Sequence, residues 1–212
     1  MKLKVCGARN QRMVQACQEA MVDYIGFNFV PTSKRRVDIE TAQTLSHSFT
    51  GRKVGVFQNA ALPEVLQTLQ IVDLDIIQLH GEEDPEYIAQ LRSLIPAKAG
   101  ISCWKAFTID PNFDSKILPQ YSKNCERFLF DGASPGSGTQ ISDTDLLLSA
   151  TNTATKLQIP FGIAGGVNSS TITELLQKFP EASFLDTASG VEVDGHFSAD
   201  QLRQMIKLCR DE

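Results

Sequence analysis

Histidine is scarce in this chain, with His47, His80 and His196 far apart, and no His, Cys and carboxylate cluster shows metal-ligand spacing. A catalytic zinc is therefore not expected. The five cysteines, at positions 6, 17, 103, 125 and 209, form no CxxC pair and are odd in number. That usage fits reduced thiols in the cytoplasm. No apolar run approaches the roughly 18 residues of a membrane span, and the alternating start Lys2-Leu3-Lys4-Val5 reads as a strand, not as a secretory signal. A basic stripe is also missing, and the net charge of −5 argues against nucleic acid as a partner. Local charge can still hold a small anion. The turn Cys6-Gly7-Ala8-Arg9-Asn10 is not GxGxxG, which weighs against a doubly wound dinucleotide fold. With no linker and no low-complexity tract, residues 1–212 are expected to form one domain.

What is present is a regular alternation. Short apolar runs predict strands near 2–6, 23–29, 53–58, 75–80, 102–107, 126–131, 159–164 and 182–186. Helical spacing separates them, as in Met13, Cys17, Ala20 and Met21, or Leu202, Met205, Ile206 and Cys209. Asp84-Pro85-Glu86 predicts a capped helix start, and Ser198 with Gln201 a capping box. Eight strands alternating with eight helices at roughly 25-residue intervals predict a (β/α)8 barrel, with an open parallel sheet as the competing architecture.

Function in a barrel gathers at the carboxyl ends of the strands. Those positions hold Cys6, Gln78 and His80, Asp131, and Asp186. Cys6 shares a strand face with Lys4, an ammonium able to keep it as thiolate. In Arg127-Phe128-Leu129-Phe130-Asp131 the phenylalanines should face the helices and Asp131 the barrel mouth, where desolvation favours the neutral carboxyl of a general acid. The glycine turns Ala164-Gly165-Gly166 and Ser189-Gly190-Val191 follow neighbouring strands and would aim backbone N–H groups at a phosphate. Arg35, within Lys34-Arg35-Arg36, can grip a carboxylate with two parallel bonds. The ligand implied is long and doubly anionic. Lys105 in Cys103-Trp104-Lys105-Ala106-Phe107 is read as inward, which allows a Schiff-base lyase acting on a sugar phosphate as well as a structural ion pair. A non-catalytic sensor of a phosphorylated metabolite is a further alternative.

The segments Lys4-Val5-Cys6-Gly7, Gly26-Phe27-Asn28-Phe29, Ser33-Lys34-Arg35, Val54-Gly55-Val56-Phe57, Gln78-Leu79-His80-Gly81-Glu82, Phe130-Asp131, Ala164-Gly165-Gly166 and Ser189-Gly190-Val191-Glu192 together resemble the phosphoribosylanthranilate isomerase family, in order and spacing across nearly the whole chain. The resemblance implies a cofactor-free Amadori rearrangement of N-(5-phosphoribosyl)anthranilate in tryptophan biosynthesis, by a monomer or homodimer that binds a small phosphorylated substrate and neither nucleic acid nor membrane. It further implies Cys6 as general base, Asp131 as general acid and Arg35 as the holder of the anthranilate carboxylate. Gly165, Gly166, Ser189 and Gly190 would bind phosphate, and Asp186 the sugar hydroxyls. Three departures stand out: Ala8-Arg9 where the family usually has an aliphatic residue then threonine, Thr187-Ala188 in place of Val-Ser, and a sixth loop, Gly136 to Ser142, without the usual Phe-Asp.

Overall fold

Apolar residues on both faces of successive strands require cover on both sides, and a parallel barrel wrapped in helices supplies it. The computed structural model describes residues 1–96, 100–132 and 144–210. Its elements run β1 (Lys2–Cys6), α1 (Gln11–Glu19), β2 (Tyr24–Asn28), α2 (Ile39–Ser46), β3 (Arg52–Phe57), α3 (Leu62–Ile71), β4 (Ile76–Leu79) and α4 (Pro85–Leu94). The second half continues with β5 (Ser102–Ile109), α5 (Leu118–Tyr121), β6 (Arg127–Gly132), α6 (Thr144–Lys156), β7 (Phe161–Ile163), α7 (Ile172–Lys178), β8 (Phe184–Thr187) and α8 (Ala199–Arg210). Between β8 and α8 a small hairpin is inserted, β9 (Glu192–Val193) with β10 (His196–Phe197).

β1 pairs in parallel with both β2 and β8, so the eight strands close into a barrel and the open sheet is excluded. Closure brings Lys4 of β1 into register with Asp186 of β8. Strand alternation sorts the core into two layers. Tyr24, Val54, Val56, Ile76, Trp104, Leu129 and Phe184 fill the barrel, with Trp104 and Phe184 rings 4.8 Å apart. Leu3, Val5, Phe128 and Phe130 face the helices, as their parity predicts.

The local signals work through side chains. Asp84 accepts from the Tyr87 N–H at 2.7 Å and Pro85 occupies the first helical position of α4. Ser198 Oγ accepts from the Gln201 N–H at the start of α8. One expectation fails: the fifth helix is a single turn, α5, preceded by a 3-10 turn at Ser115–Ile117. Pro119 stands in the first turn of α5, where a missing N–H is tolerated, and four residues are too few to propagate a helix without packing.

Candidate active site

The carboxyl ends of the strands surround a cavity of about 520 Å³. Cys6, Arg35, Asp131, Gly165, Gly166, Asp186 and Ser189 all line it, together with Gln78 and His80. The sequence-predicted residues thus converge, with one exception. Gly190 stands behind the wall, where a Cβ would lie 2.0 Å from the Val167 carbonyl oxygen, so its bare backbone lets the seventh and eighth loops touch.

Cys6 ends β1, and Gly26 on β2 leaves it room: a Cβ there would come within 3.0 Å of the sulfur. Lys4, fully buried on the same strand face, donates to Asp186 Oδ2 at 2.7 Å. Burial works against the Lys4 ammonium, but Asp186 and the Cys6 thiol outweigh it and hold its pKa above the ordinary value. At Cys6 the balance is reversed. Burial is the largest influence and raises the thiol; Lys4 and Arg35 pull it down, while Asp186 pushes it further up. The sequence leaves the ionisation of Cys6 open, and in the folded protein burial weighs toward the neutral thiol. An ammonium already neutralised by a carboxylate at 2.7 Å does not overcome desolvation of the sulfur.

Asp131 ends β6 facing the cavity, with its Oδ1 accepting from the Gly132 N–H at 2.8 Å. Burial, reinforced by Asp186, raises its carboxyl to about 7, against smaller opposing effects from Gly132 and Lys4. His80 Nε2 lies 3.4 Å from Asp131 Oδ2, but burial and the cations Lys105 and Lys4 lower His80 to about 4. The imidazole is neutral at neutral pH, so this contact is not an ion pair. His80 Nε2, Gln78 Oε1 and Asp186 Oδ1 are buried without hydrogen-bond partners among the described residues. Three unsatisfied polar atoms around one cavity suit a ligand rich in hydroxyl groups.

Gly165 and Gly166 have φ of 83° and 74°, a conformation that bends the chain after β7 and favours glycine. A Cβ on Gly165 would lie 2.5 Å from the Gly132 nitrogen, so this turn also packs directly on the end of β6. Thr187 does not substitute for a lost phosphate hydroxyl, since its Oγ1 donates to the Val167 carbonyl at 2.7 Å.

Among the three cations after β2, Lys34 and Arg36 are exposed and Arg35 is buried. Arg35 crosses Gly7, whose φ is 89° and whose missing Cβ would lie 2.6 Å from Arg35 Cδ. Its Nε and Nη2 donate to Glu192 Oε1 and Oε2 at 2.9 and 2.6 Å. Sequence reasoning assigned Glu192 no role; the Ser-Gly-Val-Glu motif was its only signal.

Lys105 requires a correction. Trp104 and Ala106 belong to the barrel interior, so Lys105 points with Cys103 and Phe107 toward the helices. Its Nζ lies 3.2 Å from Glu83 and donates to the Gly81 carbonyl at 2.6 Å, away from the cavity lining. A Schiff-base role at the mouth is thereby removed and the structural pairing stands. His47 and His196 are exposed. The sixth loop from Gly136 to Ser142 lies outside the described residues.

A closed barrel whose mouth combines a thiol, a carboxyl titrating near neutrality and anion-compatible turns defines a (β/α)8-barrel enzyme suited to acid–base chemistry. Residues 3–208 match the family model described as N-(5'phosphoribosyl)anthranilate (PRA) isomerase. The chain belongs to that family, and is accordingly an isomerase of tryptophan biosynthesis. N-(5'-phosphoribosyl)anthranilate isomerase of Brevibacillus brevis is 32% identical, over 99% of this chain and 93% of the relative. The Streptococcus gordonii enzyme of the same name is also 32% identical, over 99% and 98%. The crystal structure of phosphoribosyl anthranilate isomerase from Thermus thermophilus superposes with a TM-score of 0.84 at 26% identity, covering 100% of this chain and 99% of that one. Membership in an enzyme family sets aside the non-catalytic sensor. No helix among the described residues is long and apolar enough to cross a membrane.

Proposed function

We propose that Asp131 and Cys6 carry the isomerisation of N-(5-phosphoribosyl)anthranilate to 1-(2-carboxyphenylamino)-1-deoxyribulose 5-phosphate as general acid and general base. Asp131 gives its proton to the ribose ring oxygen, the bond between that oxygen and C1 breaks, and the nitrogen lone pair forms the C1 iminium. Cys6 thiolate then takes the C2 proton, and the electron pair of that C–H bond forms the C1–C2 double bond as the iminium electrons return to nitrogen. The resulting enol loses its hydroxyl proton and C1 gains one, leaving the ketone. The observation that carries this reading is the buried Asp131 carboxyl facing the same cavity as Cys6, where burial pushes it up to about 7. An acid with a pKa near the operating pH is both protonated and able to give its proton away.

The substrate's ends are assigned to the anion sites: phosphate to the turns at Gly165, Gly166 and Ser189, with Gly190 behind them letting the two loops meet, and the anthranilate carboxylate to Arg35. Asp186, Gln78 and His80 offer the sugar hydroxyls the unsatisfied atoms noted above. Lys4 and Arg35 are the cations that favour the thiolate. The protein works in the cytoplasm as a monomer or homodimer, in keeping with its free thiols.

The test is a steady-state assay on the fluorescent anthranilate substrate. Cys6→Ser and Asp131→Asn are each expected to lose at least about 100-fold in turnover. Near-normal rates in folded variants reject the assignment.

A further inference from the structure

Arg9 lies in the loop after β1, and the structure gives it a specific position. Its Nη1 donates to the Lys34 carbonyl at 3.0 Å and its Nη2 to the Gly195 carbonyl at 3.2 Å, tying together the loops after β1, β2 and β8. Gly195 and Asp194, with φ of 76° and 50°, form the tight turn between β9 and β10 that presents Glu192. Arg9 Nη2 is also 3.9 Å from Glu192 Oε1, just beyond hydrogen-bond reach. Glu192 meanwhile occupies the Nε and Nη2 edge of Arg35. That edge has the fork geometry with which an arginine holds a planar carboxylate.

We propose that Glu192 is a movable counter-ion that fills the Arg35 fork in the empty site and passes to Arg9 when a ligand carboxylate takes the fork. The inference rests on the reading of Arg35 as the carboxylate holder. Arg9 is then a positioning residue, acting on the ligand through Glu192.

Two further observations support it. Three cations, Arg9, Lys34 and Arg35, surround one carboxylate, so a second carboxylate entering the group still meets net positive charge. Burial pushes the Glu192 carboxyl up, but Arg35, Arg9 and Lys34 outweigh it and hold it below the ordinary value, so the group that moves is an anion. The transfer is also short. Arg9 Nη2 already stands 3.9 Å from the oxygen it would receive, and the Arg9 side chain is one-third exposed, able to adjust without disturbing the core. A fork left empty would cost the buried guanidinium two charge-assisted hydrogen bonds; a fork filled by a fixed carboxylate would exclude the ligand. A shared carboxylate with two seats avoids both costs.

The experiment measures equilibrium affinity for two inert reduced analogues of the product, 1-(2-carboxyphenylamino)-1-deoxyribitol 5-phosphate and its N-phenyl counterpart without the carboxylate. Glu192→Gln removes the competing charge while keeping an amide oxygen for Arg35. It is expected to tighten the carboxylate ligand by at least about threefold and to leave the N-phenyl ligand unchanged. Arg9→Ala removes the second seat and should weaken the carboxylate ligand by at least about fivefold, raising KM with kcat within about twofold. In the Glu192→Gln background the Arg9→Ala change should have no effect, because nothing needs the seat.

Weaker carboxylate binding by Glu192→Gln overturns the exchange. An Arg9→Ala loss that is equal for both ligands, or that persists in the double variant, does the same and marks Arg9 as a loop staple. Arg35→Leu separates the two levels of the argument. If it weakens both ligands equally, the carboxylate role of Arg35 fails. If it discriminates between them while Arg9→Ala and Glu192→Gln do not, the exchange alone fails.

Discussion

Lys4→Met tests how a buried cation controls the Cys6 thiol. Lys4 is fully buried, donates to Asp186 at 2.7 Å and also lowers the thiol through charge and a hydrogen bond to the sulfur. A hydrogen bond to a charged group contributes about 1.5–3 kcal/mol. Its loss pushes the Cys6 thiol further up, and an energy of that size changes an equilibrium by about 10- to 100-fold. The thiolate population at neutral pH, already no more than a few per cent for an ordinary thiol, then falls by about 10- to 100-fold. Turnover should fall in proportion. The direct assay is the pH dependence of iodoacetamide alkylation, because Cys6 is partly accessible while Cys17, Cys103, Cys125 and Cys209 are buried. The single change leaves Asp186 buried without its cation, which costs stability. Lys4→Met/Asp186→Asn removes both charges, and its thiol should still titrate above wild type because Lys4 outweighs Asp186 at the sulfur. A wild-type alkylation profile in both variants would refute the reasoning.

Stability and reactivity elsewhere follow the same electrostatics. Asp131, with a folded pKa of about 7, binds its proton more tightly in the folded than in the unfolded chain. Its stabilising contribution is therefore complete at low pH and is lost as pH rises from the unfolded value, about 4, through about 7. Asp131→Asn escapes that loss, so its gain in denaturation midpoint over wild type should grow across this window and level off above it. Three pKa units set a ceiling of about 4 kcal/mol. A gain independent of pH contradicts this account. Lys105 is held by Glu83 and the Gly81 carbonyl outside the cavity. Lys105→Met should lower the denaturation midpoint by the equivalent of at most about 3–5 kcal/mol, because Glu83 is left buried without its cation, held only by the Asn59 and Gly81 N–H groups. Substrate-dependent borohydride trapping, measured by mass spectrometry, should find no adduct on Lys105; an adduct there contradicts its placement.

The strands and their order are legible in the sequence because periodicity and turn signals are local properties. Phe128, Leu129, Phe130 and Asp131 show this well, with two aromatics against the helices and the carboxyl at the mouth. Lys105 shows the limit. In Cys103-Trp104-Lys105-Ala106-Phe107 both strand faces are largely apolar, as in any parallel barrel, so hydrophobicity does not say which parity points inward. The bulk of Trp104 settles it in three dimensions by filling the barrel beside Phe184. Glu192 was unreadable for a different reason. Its meaning depends on Arg35, 157 positions away in the chain, reaching across Gly7 to meet it. The ionisation of Cys6 was equally hidden, since neighbouring charges can be read from a strand pattern but the depth of burial that opposes them cannot.

Cys6 and Asp131 serve different steps in the proposed mechanism, so a substrate deuterated at C2 should distinguish them. The decisive measurement is the kinetic isotope effect on turnover in wild type, Cys6→Ser and Asp131→Asn. With a weaker base, C2 proton removal limits Cys6→Ser and its isotope effect exceeds that of wild type. With no acid to open the ring, Asp131→Asn is limited before the C2 proton moves, and its effect falls toward unity. Equal isotope effects in the two variants would contradict the division of labour between thiol and carboxyl.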